Sequence, residues 1–134
     1  MIVTDTNVIA YLFLEGESTE QAEAVLLSDS EWIAPYLWRS EFRNILALYI
    51  RQGYLQLDVA KQIMREAEAL MLGKEFEIES QQILDLVQQS RCSAYDCEYV
   101  ALAQQLGVNL VTADRKILAE FPAIAVPLSS FSAA

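Results

Sequence analysis

Short apolar runs alternate with longer segments of helical periodicity along the whole chain, and that alternation restricts the fold more than any other feature. Residues 2–5 read as a short buried strand, followed by helical spacing over 8–14. A second helix is expected behind Ser18, with Gln21 three residues on as in a capping box and Ala22, Val25 and Leu26 on one face. Residues 31–37 read as a strand that Pro35 helps to stop, and 38–52 as a helix closed by Gly53. Asp58 is placed to cap a further helix with Ala60, Ile63, Met64, Ala67, Leu70 and Met71 at helical spacing, a stripe that suits core packing or a partner contact. A weak strand at 75–78, helices at 80–90 and 93–106 (the second closed by Gly107), a strand at 108–114, a short helix at 115–121 and a strand at 123–128 complete the pattern. Strands separated by helices pair side by side rather than as hairpins. The expected fold is therefore α/β, with a central, mostly parallel sheet of about five strands and helices on both faces.

The 134 residues suit a single domain spanning 1–134, with 129–134 expected to fray. At 54% hydrophobic the chain is a compact globule rather than a disordered one. No apolar run approaches the roughly 18 residues of a membrane span, and no basic stretch followed by an apolar core opens the chain. A cytoplasmic protein without a membrane partner is expected. The composition also excludes chemistries. With no histidine and two cysteines, Cys92 and Cys97, there is no zinc site, no Ser-His-Asp or Cys-His catalyst and no histidine general base.

Four carboxylates stand where a simple core would not put them. Asp5 and Asp114 fall at the carboxyl ends of expected strands, the edge at which parallel α/β sheets bind ligands where strand order reverses. Glu41 lies on the line Trp38, Glu41, Ile45, Leu48, a core-facing stripe on which an unpaired charge is costly. Asp96 sits three residues behind Ser93 at the start of a helix. The bland alternatives are helix caps for Asp5, Asp96 and Asp114, and an ion pair with Arg39 or Arg43 for Glu41. Glu98 points to a different face and is a peripheral candidate. If the four converge, each pair ~5 Å apart repels by about 3 kcal/mol at an effective dielectric of ~20. Such a group must protonate or bind cations. Oxygen-only ligands select hard ions, Mg²⁺ or Mn²⁺, with Ca²⁺ an alternative. A carboxylate-held Mg²⁺ or Mn²⁺ suits phosphodiester hydrolysis.

Taken together, "VTDTN", "LWRSEFRN", "SAYDCEYVALAQQLG" and "LVTADRKIL" make the chain resemble a PIN-domain nuclease over nearly its whole length. Within that family it is most similar to the VapC-type toxins of toxin–antitoxin pairs. The resemblance implies a three-layer α/β/α, Rossmann-like PIN domain. It implies that Asp5, Glu41, Asp96 and Asp114 are the catalytic, metal-binding acids, with Asn7 and Thr112 supporting them. It also implies Mg²⁺ or Mn²⁺ as cofactor, RNA as substrate, a homodimer, and a cognate antitoxin whose C-terminal segment wraps the toxin.

The net charge of −10 argues against a general nucleic-acid binder. Five of the nine cations, Arg39, Arg43, Arg91, Arg115 and Lys116, nevertheless lie within five residues of one of the four acids, where they could hold an RNA backbone or simply pair with neighbouring acids. A haloacid-dehalogenase-like phosphatase needs an acid where Asn7 stands. A receiver-like phospho-acceptor needs a lysine that the last strand lacks. A protein-binding module of the same fold with little nuclease activity is the remaining alternative.

Overall fold

The computed structural model describes residues 1–131. The strands are β1 (Ile2–Thr4), β2 (Trp32–Pro35), β3 (Glu75–Phe76), β4 (Leu110–Val111) and β5 (Ala125–Val126). The helices are α1 (Thr6–Phe13), α2 (Thr19–Ser28), α3 (Leu37–Arg51), α4 (Leu57–Met71), α5 (Ser80–Gln89), α6 (Ala94–Leu106) and α7 (Arg115–Glu120). All strand pairings are parallel and the order is β3-β2-β1-β4-β5. The sheet grows outward in both directions from β1. The order therefore reverses between β1 and β4, the switch point at which such sheets leave a crevice. Helices cover it as a three-layer α/β/α sandwich, with α6 against β1, β2 and β4 and α5 packed on α6, while α1, α3 and α4 pack on one another. No described helix is long and apolar enough to cross a membrane.

The strands are shorter than their apolar runs suggested. β4 keeps two residues of the expected seven, because Val108 is still tied to the end of α6, its N–H donating to the Ala103 carbonyl. Gly107, at φ +66°, makes the left-handed turn between the two. Val3, Trp32, Ile33, Ala34, Leu110 and Val111 are all buried, as strands covered on both faces require. On α3 the buried stripe is Trp38, Phe42 and Leu46. Phe42 meets Phe13 of α1 edge to face at 6.5 Å and Trp38 at 5.9 Å, which docks α3 onto α1. Ala60, Ala67 and Met71 of α4 are buried, and Ile63, Met64 and Leu70 pack against the core, so that stripe is mainly core.

Two expected caps differ. Ser18 stands at the N-cap of α2 but makes no side-chain capping bond. Thr19, the first residue of α2, instead accepts from the Gly16 N–H at 3.0 Å and donates to the Tyr11 carbonyl at 2.8 Å, and so ties α2 to the end of α1. The α4 cap is Gln56, and Asp58 lies in the first turn, where its charge suits the helix dipole. Of the tail, residues 129–131 complete a 3₁₀ turn, Leu128–Phe131, that packs against α2, and 132–134 lie outside the described residues. Cys92 and Cys97 are free and buried, and burial pushes the Cys92 thiol up to about 11.

Candidate active site

The register of the sheet places the first two site residues. Thr4 pairs with Val111, so Asp5 and Thr112, the next residue of each chain, stand level at the switch point. Thr112 is fully buried and its hydroxyl donates to Asp5 Oδ2. The same Thr112 oxygen accepts the Asp114 N–H at 3.0 Å. One threonine thus spans the crevice and fixes the backbone at Asp114 relative to the carboxylate at Asp5. Asp114 itself lies beyond the end of β4 rather than in it.

Asp5 and Asp114 also cap helices. Asp5 Oδ1 accepts the Val8 N–H of α1 at 3.1 Å, and Asp114 Oδ1 accepts from Lys116 and Ile117 of α7 at 2.8 and 3.1 Å. Capping and site were alternatives in the sequence and are one arrangement in the structure: the helix N-termini hold the carboxylates by one oxygen each. Asp96 occupies the first turn of α6, its N–H bonded to Ser93 Oγ at 3.1 Å. Glu41 is half-buried on the flank of α3 beside the core stripe, not on the stripe itself. It pairs with neither Arg39 nor Arg43. Its Oε1 accepts Thr6 Oγ1 at 2.8 Å and the Tyr99 hydroxyl at 2.7 Å.

All four acids line one open cleft of about 430 Å³, together with Asn7, Ser40, Asn44, Tyr95 and Tyr99, and no lysine or arginine lines it. Loss of hydration pushes the Asp5 carboxyl up to about 6; hydrogen bonds from Thr112 and Val8 pull it back, and the charges of Asp114 and Glu41 raise it further. Burial, and next the charge of Asp114, hold Asp96 above the usual carboxylate range, with Ser93 and Lys116 acting against them. Glu98 lies outside this cleft, in a shallow groove with Tyr36 and Phe76. The sequence did not single out Thr6 or Tyr99 as site residues. The available signal for Tyr99 is its spacing: three residues after Asp96, it shares that helix face.

The acids do not close into a cage. Among the described residues no three acidic or sulfur side chains come together tightly enough to enclose an ion by themselves. Asp5 and Asp114 are tethered to the helices that follow them, and Glu41 is held by Thr6 of α1 and Tyr99 of α6. The donor set still fits a hard divalent cation. It is all oxygen, it is anionic with no cationic side chain lining it, and it includes a buried carboxylate that burial disfavours in its charged form. Mg²⁺ in particular takes one or two carboxylates and keeps several waters, which an open cleft permits.

The five cations divide. Arg39 is committed elsewhere: Nε and Nη2 grip both Glu75 oxygens at 2.5 and 2.8 Å, and Nη1 holds Glu68 at 2.8 Å. It is a strut between α3, β3 and α4, reinforced by Trp38 Nε1 on Glu75 at 2.8 Å, and does not line the cleft. Arg43, Arg91, Arg115 and Lys116 are exposed and in no ion pair among the described residues. Lys116 is near enough to Asp96 to favour its charged form.

The sequence profile of the PIN domain matches residues 2–124. The chain is 30% identical over 129 residues to Ribonuclease VapC3 of Pyrobaculum aerophilum, covering 94% of this chain and 98% of that protein. The fold is similar to the crystal structure of PAE2754 from Pyrobaculum aerophilum, with a TM-score of 0.77 at 19% identity, over 96% of this chain and 91% of the other. It is also similar to a chain in a toxin–antitoxin complex from Klebsiella pneumoniae, with a TM-score of 0.70 at 18% identity, over 96% and 98% of the two chains.

Proposed function

Since this chain belongs to the PIN-domain family, we propose that it is a metal-dependent endoribonuclease that hydrolyses RNA phosphodiester bonds as the toxin of a toxin–antitoxin pair. The observation that carries this is the cleft at the β1/β4 switch point, lined by Asp5, Glu41, Asp96 and Asp114 and by no cation of the protein. The relatives' names, a ribonuclease and a toxin–antitoxin complex, support the activity and the cognate antitoxin as partner.

The four acids are the residues to hold Mg²⁺ or Mn²⁺. The ion would make a water nucleophilic at neutral pH by easing its deprotonation, and would place positive charge beside the phosphate oxygens. The rest falls to the chain. Thr112 keeps Asp5 and Asp114 in fixed relation, and the α1 and α7 N-termini hold them by Oδ1. Asn7, Ser40 and Asn44 line the cleft with neutral polar groups that can bond ribose or base. Arg43, Arg91, Arg115 and Lys116 lie outside the acid-lined wall and engage the phosphates flanking the scissile bond, so RNA binding is weak and strongly salt-dependent. The protein acts in the cytoplasm as a homodimer until its antitoxin masks the cleft.

The test is cleavage of a panel of structured and single-stranded RNAs with Mg²⁺, with Mn²⁺ and with EDTA, comparing the protein with Asp5→Asn. Metal-dependent cutting that the variant loses supports the proposal. Cutting that survives both EDTA and Asp5→Asn refutes it. Metal binding with no cutting of any RNA favours the protein-binding module.

A further inference from the structure

Three elements meet at one carboxylate oxygen. Thr6 of α1 and Tyr99 of α6 both lie within hydrogen-bonding distance of Oε1 of Glu41 on α3, at 2.8 and 2.7 Å, and of each other at 2.5 Å, so two hydroxyl hydrogens serve three contacts. Tyr99 is 3% exposed and Thr6 6%, so neither hydroxyl is there for solvent. The bonding is one-sided: among the described residues no group bonds Glu41 Oε2, which is left for the cleft. Burial first, and then the charge of Glu41, push the Tyr99 phenol well above its ordinary range, so it stays a neutral donor. Tyr99 also stands one turn beyond Asp96 on α6. Its bond to Glu41 therefore sets the position of the helix that carries Asp96 relative to the helix that carries Glu41.

We propose that Tyr99, with Thr6, is a positioning residue for the cation site: its hydroxyl fixes Glu41 by one oxygen and ties α6 to α3, so that the Glu41 and Asp96 carboxylates are preset across the cleft. This rests on the reading of the cleft as a divalent-cation site. Thr6 serves Glu41 as Thr112 serves Asp5, tying α1 to α3, and Tyr99 adds the tie from α6. Removing such an outer-sphere donor lowers metal affinity by about 10–100-fold.

The experiment measures Mn²⁺ affinity directly, by the loss of the free-ion paramagnetic resonance signal, in the full chain at neutral pH. The proteins are wild type, Tyr99→Phe, Glu41→Gln, the double variant, Thr6→Val and Thr6→Ser, each checked for native melting. Tyr99→Phe is expected to weaken Mn²⁺ binding by about 10–100-fold. The same change made on Glu41→Gln should cost no more than Glu41→Gln alone, because the effect runs through that carboxylate. Thr6→Val should weaken binding and Thr6→Ser restore it; this pair decides the matter if Tyr99→Phe does not fold. Wild-type affinity in Tyr99→Phe overturns the proposal while leaving the cation site standing. So does an equal loss on the Glu41→Gln background, which would mark a general packing defect. Failure of the wild type itself to bind Mn²⁺ removes the site and the proposal together.

Discussion

Thr112→Val is the most informative single change, because Thr112 is fully buried and its hydroxyl serves two partners. Valine keeps the shape and removes the hydroxyl. The lost bond to the Asp5 carboxylate is charge-assisted, about 1.5–3 kcal/mol. The Asp114 N–H also loses its acceptor, a cost of about 1 kcal/mol at a half-buried group. A buried methyl in place of a hydroxyl returns about 1 kcal/mol. The net is a destabilisation of about 1.5–3 kcal/mol. For 134 residues the unfolding entropy is about 0.28 kcal/mol/K, so Tm falls by roughly 5–11 °C. Differential scanning calorimetry reads this in EDTA, and Mn²⁺ titration of the folded variant at low temperature reads the site, where affinity drops by about 10–100-fold. Thr112→Ser, which keeps the oxygen, should recover most of both. A Thr112→Val protein that melts like wild type and binds Mn²⁺ as tightly would refute the reasoning, since neither bond would then matter.

Arg39→Met is expected to cost about 2–4 kcal/mol by leaving Glu75, whose side chain is 5% exposed, without its guanidinium. Urea unfolding reads the loss, and the salt slope of RNA binding should not change, which separates this strut from the RNA-facing cations. The same pair sets an acid limb of stability. The bonds from Arg39, followed by that from Trp38, lower the folded-state pKa of Glu75. Its contribution is complete above the unfolded glutamate pKa of ~4.3 and is lost as pH falls through the lower folded value, so Glu75→Gln should flatten that limb of a pH-melting profile. Arg115→Gln and Lys116→Gln, both at exposed positions, should leave stability within about 0.5 kcal/mol. Each should weaken RNA binding across sequences and reduce the slope of log affinity against log salt by about 1, as fluorescence anisotropy over a salt series would show.

The alternation of strands and helices was enough to read the parallel sheet and its layers, because connection type decides strand direction. It was less able to give strand ends. An apolar run can begin before the ladder does, as at Val108, whose N–H still bonds the Ala103 carbonyl at the exit of α6. Asp5 and Asp114 were legible from their places after apolar strands. What sequence left open was whether they cap helices or face a site; the structure makes one oxygen do the first and leaves the carboxylate in the cleft. Glu41 was found for a reason the structure modifies, since the true core stripe is Trp38, Phe42 and Leu46 and the glutamate lies beside it. Tyr99 was invisible because an aromatic on a buried helix face reads as core; its hydroxyl acquires meaning only when α3 and α1 arrive beside it. Arg39 was misplaced for the opposite reason. Proximity along the chain to Glu41 suggested the cleft, but successive helix positions point about 100° apart, and Arg39 turns to β3 and α4.

All of this turns on where a divalent cation sits. Anomalous diffraction from crystals soaked in Mn²⁺, collected at the manganese edge, locates it without reference to activity. The expected result is a peak inside the cleft at the β1/β4 switch point, ligated by carboxylate oxygens from among Asp5, Glu41, Asp96 and Asp114 and absent from Asp5→Asn crystals. Well-diffracting soaked crystals with no peak in that cleft, or with manganese bound only at surface acids elsewhere, would contradict it, and the four carboxylates would then be helix caps and wall charges of a cleft with another use.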